Sequence, residues 1–221
     1  MSEGFVQRMA KADDERQPEG FAIAPGVVTN NLDALGLGRV QVRVPLLPQF
    51  EPWCRMASAG GASGRGFVWV PQIGDEVLVA FGQHDQRDAY VIGGLWSTLD
   101  RPPLTSPADF IVKRVIKTGV TSAVGHEVEF DDALQSIKIT TSTQQKITID
   151  PKTIELTNTA GTLTIKMDNA SQTVSISAAL KIELKAAQIS LQGAKIDLKG
   201  TTINIQSDGP CVVKGLPIKL N

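Results

Sequence analysis

The sequence of 221 residues has no run of 18 or more apolar residues, so it offers no candidate for a membrane-crossing helix. Its first twenty residues, MSEGFVQRMAKADDERQPEG, lack the apolar core and cleavage pattern of a secretory signal, and no signal peptide is expected. There are two cysteines, Cys54 and Cys211, far apart and without metal-ligand spacing; both read as packed thiols. A net charge of −1 carries no electrostatic footprint for nucleic acid or a membrane surface. Two scarcities are regional. Aromatic residues stop at Phe130, and lysine is almost missing from the first half: 12 of 13 lysines lie at Lys113 or later, while eight of nine arginines precede it. The chain therefore reads as two differently built parts, joined near the proline-rich run Arg101-Pro-Pro-Leu-Thr-Ser-Pro107.

What the second part does contain is a repeat. Ile182-Glu-Leu184, Ile189-Ser-Leu191, Ile196-Asp-Leu198 and Ile203-Asn-Ile205 recur every seven residues. A coiled-coil heptad spaces its apolar residues three and four apart. Here the spacing is two and five. Positions i and i+2 lie on opposite sides of a helix but share a face of a strand. The pattern predicts short strands with a bend each seventh residue, at Ala186-Ala187, Gly193-Ala194 and Gly200-Thr201. Looser pairs extend it upstream: Ile137/Ile139, Ile147/Ile149, Ile154/Leu156, Leu163/Ile165 and Val174/Ile176. About nine strands between Gln135 and Gln206, with no helical pattern among them, indicate a solenoid or β-helical fibre. Such a fibre has a narrow interior that aliphatic side chains fill and aromatic ones would force apart, which explains why Phe130 is the last aromatic. Seven residues make one side of a triangular section. One chain winding all three sides, or three chains supplying one side each, satisfies the period equally well. The three-chain form leaves fewer free strand edges.

The first part reads as short strands broken by turns. Phe21-Ala-Ile-Ala24 and Gly26-Val-Val-Thr-Asn30 come first, then Arg39-Val-Gln-Val-Arg-Val44 and Trp53-Cys-Arg-Met-Ala57. Phe67-Val-Trp-Val70, Glu76-Val-Leu-Val-Ala-Phe81 and Tyr90-Val-Ile-Gly-Gly-Leu-Trp96 follow. Five or six strands in this length predict a small closed barrel of the oligonucleotide/oligosaccharide-binding (OB) type.

Three stretches carry a resemblance. Leu37-Gly-Arg-Val-Gln-Val-Arg-Val-Pro45, Pro71-Gln-Ile-Gly-Asp-Glu-Val-Leu-Val-Ala-Phe81 and Ala89-Tyr-Val-Ile-Gly-Gly-Leu-Trp96 resemble the barrel of phage baseplate assembly protein V and of VgrG spike proteins. The terminal Val213-Lys-Gly-Leu-Pro-Ile-Lys-Leu-Asn221 resembles the end of a VgrG-type needle. The resemblance implies an all-β chain: an OB-fold barrel followed by an intertwined trimeric β-helix, or β-prism. It implies a polar segment at residues 1–20, a barrel at 21–100, a linker and neck at 101–132 and a needle at 133–221. In that reading Ile147, Ile149, Ile154, Leu156, Leu163, Ile165, Val174, Ile176, Ile182, Leu184, Ile189, Leu191, Ile196, Leu198, Ile203 and Ile205 form the trimer core. Pro217, Ile218, Leu220 and Asn221 form a platform for a PAAR-type tip protein. The implied function is that of a homotrimeric central spike in a contractile injection machine, assembled in the bacterial cytoplasm and delivered outward on contraction. The implied partners are a baseplate hub protein and, transiently, a target membrane. Two features distinguish this chain within the resemblance. About 20 polar residues stand where VgrG proteins carry a large hub domain, as in the short baseplate V form. Some phage spikes end in a metal-binding His-x-His apex, whereas His84 and His126 are the sole histidines here and neither lies near the C-terminus.

Candidate chemistry is sparse. His84 lies in the polar loop Gly82-Gln-His-Asp-Gln-Arg-Asp88 beside Asp85, with no nucleophile indicated. His126 precedes Glu127, Glu129, Asp131 and Asp132, which alternation and turn chemistry explain without a metal. Gly60-Gly-Ala-Ser-Gly-Arg-Gly66 lacks the Gly-Lys-Ser/Thr ending of a phosphate loop and reads as a hairpin. Asp75-Glu76 and Asp208-Gly-Pro210 read as turns. No lysozyme-like insertion separates barrel and fibre. The expectation is a structural protein, not an enzyme, with no cofactor and no metal. The competing reading is an OB-fold protein binding nucleic acid or glycan, with a monomeric β-solenoid. Between Gly38 and Trp96 five arginines balance five acids, which argues against nucleic acid.

Overall fold

Alternation builds the first unit of structure. Strand β1 (Ile23–Asn30) buries Ala24, Gly26 and Val28 and exposes the residues between them. The computed structural model describes residues 23–45, 47–82, 85–119 and 125–219. Strands β2 (Val40–Arg43), β3 (Trp53–Met56), β6 (Glu76–Phe81) and β7 (Ala89–Gly94) complete a closed barrel in the order β1-β2-β3-β7-β6. The β3–β7 pairing is parallel and the others antiparallel. Val28, Val40, Val42, Val44, Cys54, Val77, Val79 and Val91 fill the interior and are almost wholly shielded from solvent. Gly26 has a steric reason. A Cβ there would sit 2.5 Å from Val42 Cγ1 and 3.1 Å from the Arg43 carbonyl oxygen.

The expected strand at Phe67–Val70 is not one. The glycine-rich run forms a short hairpin, β4 (Gly61–Ala62) with β5 (Arg65–Gly66), and residues 67–70 join no ladder. The reason is closure: β3 pairs on one side with β2 and on the other with β7, so no sheet edge is left for a sixth strand. The Phe67 and Trp69 rings instead stack outside the ladder, 6.0 Å apart and nearly parallel.

A single helical turn, α1 (Asp109–Val112), precedes a seven-stranded antiparallel meander. Its strands are β8 (Lys113–Lys117), β9 (Glu127–Asp131), β10 (Ser136–Thr140), β11 (Lys146–Ile149), β12 (Thr153–Thr157), β13 (Leu163–Asp168) and β14 (Thr173–Ala178). Four of the hairpins carry a left-handed residue: Gln135 (φ 52°), Gln144 (φ 65°), Gly161 (φ 68°) and Gln172 (φ 52°). Two of them repeat one local device. Asp131 accepts the Leu134 amide ahead of Gln135, and Asp168 accepts the Ala170 and Ser171 amides ahead of Gln172. The β11–β12 hairpin uses Asp150, which accepts the amides of Lys152 and Thr153.

Residues 180–219 are built differently. The chain bends at Leu180, Ala187, Ala194, Thr201 and Asp208, every seventh residue as the sequence predicts. Yet the described residues of this stretch form no regular strand, and among them no backbone hydrogen bond links one repeat to the next. The expected run of nine strands thus divides: β10 to β14 pair within the chain, and the later repeats do not. The physical difference lies in the connections. Upstream turns reverse the chain and let neighbours pair; a single bend between seven-residue units does not.

Candidate assembly surfaces

The meander places its apolar residues in two rows, the second ending in Arg114 on β8. One row runs Ile116, Val128, Ile139, Ile147, Leu156, Ile165, Ile176, each directly opposite the next across the strands. The second runs Arg114, Phe130, Ile137, Ile149, Ile154, Met167, Val174. Residues two apart share a face, so both rows lie on the same side of the sheet. This side is left open to solvent. Ile139 is 38% exposed, Ile165 44% and Val174 65%.

The other side is polar and internally matched. Lys113 lies 3.4 Å from Glu129 and 3.6 Å from Asp131; Lys138 reaches Glu129 at 3.5 Å, and Lys117 reaches Glu127 at 3.1 Å. The Leu134 amide, with help from Lys113, holds the Asp131 carboxyl below the usual carboxylate range. The Lys152 and Thr153 amides do the same for Asp150, and the Ser171 amide and hydroxyl for Asp168.

The heptad segment repeats its geometry faithfully. The isoleucines Ile182, Ile189, Ile196 and Ile203 are 52–54% exposed, and Leu184, Leu191 and Leu198 are each 67% exposed. Equal values at equal positions mean that successive units share one conformation.

The expected core residues thus fall on two surfaces of one kind, aliphatic and uncovered. Sequence reasoning missed Met167, which continues the alternation Leu163-x-Ile165-x-Met167, and it stopped short of Ile116, Val128 and Phe130. The signal for Met167 was present in the alternation. For the other three it was hidden, because they lie before the repeat becomes regular. Of the expected tip platform, Pro217 and Ile218 are exposed, while Leu220 and Asn221 lie outside the described residues. The two cysteines separate. Burial pushes the Cys54 thiol up to about 12, whereas Cys211, expected to be packed, is exposed, because nothing in this segment covers it.

The barrel exterior is occupied by its own partners. Asp33 accepts the amides of Leu35 and Leu37 and grips the Arg39 guanidinium at 2.8 and 3.0 Å. The Arg39 side chain holds the Asp33 carboxyl well below the usual range, and Arg39 also lies over the Trp53 ring. Arg43 pairs with Glu51 at 3.0 Å, and Arg55 covers Tyr90 at 4.8 Å. The His84 reading lies outside the described residues. His126 receives the Ser142 amide at Nδ1, while Glu127 and Glu129 face lysines. Among the described residues no group of three or more His, Cys, Asp or Glu side chains is placed to hold a metal.

A five-stranded closed barrel followed by an aliphatic repeat is specific enough to compare with known proteins. Residues 24–96 match the type VI secretion system/phage-baseplate injector OB domain family. Its barrel is similar to the injector OB domain of that family. The matched span covers the barrel from β1 to β7. The chain is also 29% identical over 102 residues to the actin cross-linking toxin VgrG1 of Vibrio cholerae serotype O1. That alignment covers 43% of this chain and 9% of the toxin, so the chain spans less than a tenth of that relative's length. No helix among the described residues is long and apolar enough to cross a membrane.

Proposed function

We propose that three copies of this chain form the central spike of a contractile injection machine. The observation that carries the reading is the uncovered apolar surface: two rows across the meander and four heptads of one apolar spacing, none buried by the chain itself. In the spike, three meander sheets turn their aliphatic faces inward as the sides of a prism. Beyond residue 180 each heptad finds its ladder partners on the other two chains, which supplies the backbone hydrogen bonds that one chain lacks. The core residues from Ile147 to Ile205 then lie on the axis, joined by Met167 and, at the wider end, by Ile137, Ile139 and Phe130. The segments follow: a polar stretch at 1–20, the barrel at 21–100, a neck at 101–132 and the needle at 133–221. The barrel docks on a hub protein, and Pro217, Ile218, Leu220 and Asn221 seat a PAAR-type tip. The particle assembles in the bacterial cytoplasm and meets the target membrane on contraction. The role is mechanical, not catalytic. Its requirement is stiffness, which ladders around a dry aliphatic core provide, and interwoven chains come apart slowly because many contacts must open together.

The alternative, nucleic-acid or glycan binding by the barrel of a monomeric solenoid, has less support. A self-contained solenoid covers its own aliphatic residues, and here they stay open. Three of the five barrel arginines, Arg39, Arg43 and Arg55, are engaged by Asp33, Glu51 and aromatic rings. Light scattering on the purified chain decides between the architectures. The spike requires about 71 kDa, three times the chain mass of 23.6 kDa. A folded species at the single-chain mass overturns it.

A further inference from the structure

The four heptads share an inward pattern, Ile-x-Leu in three and Ile-x-Ile in the fourth, but not their outward residues. The outward trios are Lys181/Glu183/Lys185, then Gln188/Ser190/Gln192, then Lys195/Asp197/Lys199, then Thr202/Asn204/Gln206. Charged and neutral repeats alternate. Within a charged repeat the acid is held by its own neighbours: Glu183 lies 3.1 Å from Lys181 and 2.7 Å from Lys185, and Asp197 lies 2.8 Å from Lys195. These pairs run along the repeat, so they leave the contact between repeats to the trio as a whole.

We infer that this alternation is a register device: it selects partner chains offset by one heptad and rejects in-register stacking of identical repeats. The inference rests on the three-chain reading above. In a threefold fibre each chain moves to the next side as it climbs, so on any one side repeat n of one chain lies beside repeat n+1 of another. Every charged trio then has neutral neighbours above and below. The nearest like trio is two strand spacings away, about 10 Å, beyond the screening length of about 8 Å in physiological salt. Stacking in register would set Lys181 on Lys181 and Glu183 on Glu183 at one strand spacing, about 4.8 Å, where like charges repel strongly. Open in-register stacking is also the geometry of aggregates of bare strands, and residues 180–219 are a long bare stretch. The device thus favours the closed spike over an open pile of chains.

The test keeps composition constant. Exchanging the second and third outward trios (Q188K/S190D/Q192K with K195Q/D197S/K199Q) places two charged repeats side by side and leaves every inward residue and the net charge unchanged. A second variant inverts all four trios, charged for neutral, and so restores alternation. Thermal dissociation of the full-length assembly is followed from about 10 mM to 1 M salt. The expected result is a midpoint several degrees lower for the exchanged variant at low salt, merging with the parent at high salt, and a parent-like inverted variant. Equal midpoints at low salt overturn the inference. So does a loss that salt does not relieve or that inversion does not repair. A parent chain that is itself monomeric refutes the spike reading instead, and the mass measured beforehand distinguishes the two failures.

Discussion

Replacing Ile165 by alanine separates a surface residue from a core residue. Ile165 sits in the middle of β13, opposite Leu156 on one side and Ile176 on the other. The change removes about three carbon groups, each worth about 0.8 kcal/mol when fully withdrawn from water, or about 2.4 kcal/mol together. In a lone protomer Ile165 is 44% exposed, so little more than half of that, about 1.3 kcal/mol, is at stake. In a closed prism the same change also leaves a cavity, and buried Ile-to-Ala substitutions cost about 2–5 kcal/mol. Symmetry repeats it three times, about 6–15 kcal/mol per assembly; less the about 4 kcal/mol that three lone protomers also lose, about 2–11 kcal/mol falls on the assembly equilibrium, a factor of at least about 30. The control is Thr164→Ala, on the polar side of the same strand, with an expected effect within about 0.5 kcal/mol. Both variants are refolded from denaturant, because a preformed needle would hide the loss behind slow unfolding. Mass is then measured by light scattering across a dilution series. The expected outcome is dissociation of I165A at concentrations where the parent and T164A remain trimeric. Matching profiles for I165A and T164A would refute burial of this face.

Two other perturbations probe the barrel and the hairpins. Gly26→Ala drives a methyl group into Val42 and the Arg43 carbonyl, and should cost about 1–3 kcal/mol. Urea unfolding followed by tryptophan fluorescence reads it, since Trp53, Trp69 and Trp96 all lie in the barrel half; an unmoved midpoint contradicts the packing. Acid should loosen the hairpins. Asp131, Asp150 and Asp168 have carboxyl groups held below the ordinary range, so their contribution is present above the unfolded value of about 3.9 and is lost as pH falls through the lower folded values. Far-ultraviolet circular dichroism should be flat from neutrality to about pH 4 and change only below it; loss of strand signal nearer pH 6 would implicate other groups.

Much of this was legible because period-two alternation constrains strongly. A strand with one buried face must write its core at i and i+2, so Val40-Gln-Val42 and Val77-Leu-Val79 announced the barrel, and Ile147-Thr-Ile149 announced the sheet. The sevenfold bends were legible for the same reason: the apolar pair leaves a fixed remainder in which Ala or Gly recurs. Ladder partners were not legible. Phe67-Val-Trp-Val70 has the composition of a strand, but whether a strand forms depends on a free edge, and closure of five other strands removes it. Nor did the period reveal that the meander and the heptads differ. Both write Ile-x-Ile or Ile-x-Leu, and what separates them is the length of the connection. Cys211 was misread for a related reason: a small apolar residue is buried only where something exists to cover it.

In the proposed spike, that difference in connections gives the needle a physical logic. Pairing within a chain is fast and local, because each hairpin closes a loop of a few residues before the next forms. The meander from Lys113 to Ala178 can therefore order on one chain, and its aliphatic face then offers a defined surface on which two further copies align. In the proposed spike the heptads do not order that way, since each would take its neighbours from the other chains. Assembly should run from the meander toward the C-terminal end, with the first sheet-to-sheet contact setting the level of the three chains and the heptads closing in turn. The alternating outward trios matter at that step. Once the chains are level, the first charged repeat can settle beside a neutral one only with the one-unit offset that the climb of a threefold winding already imposes, so charge pattern and backbone geometry select the same register.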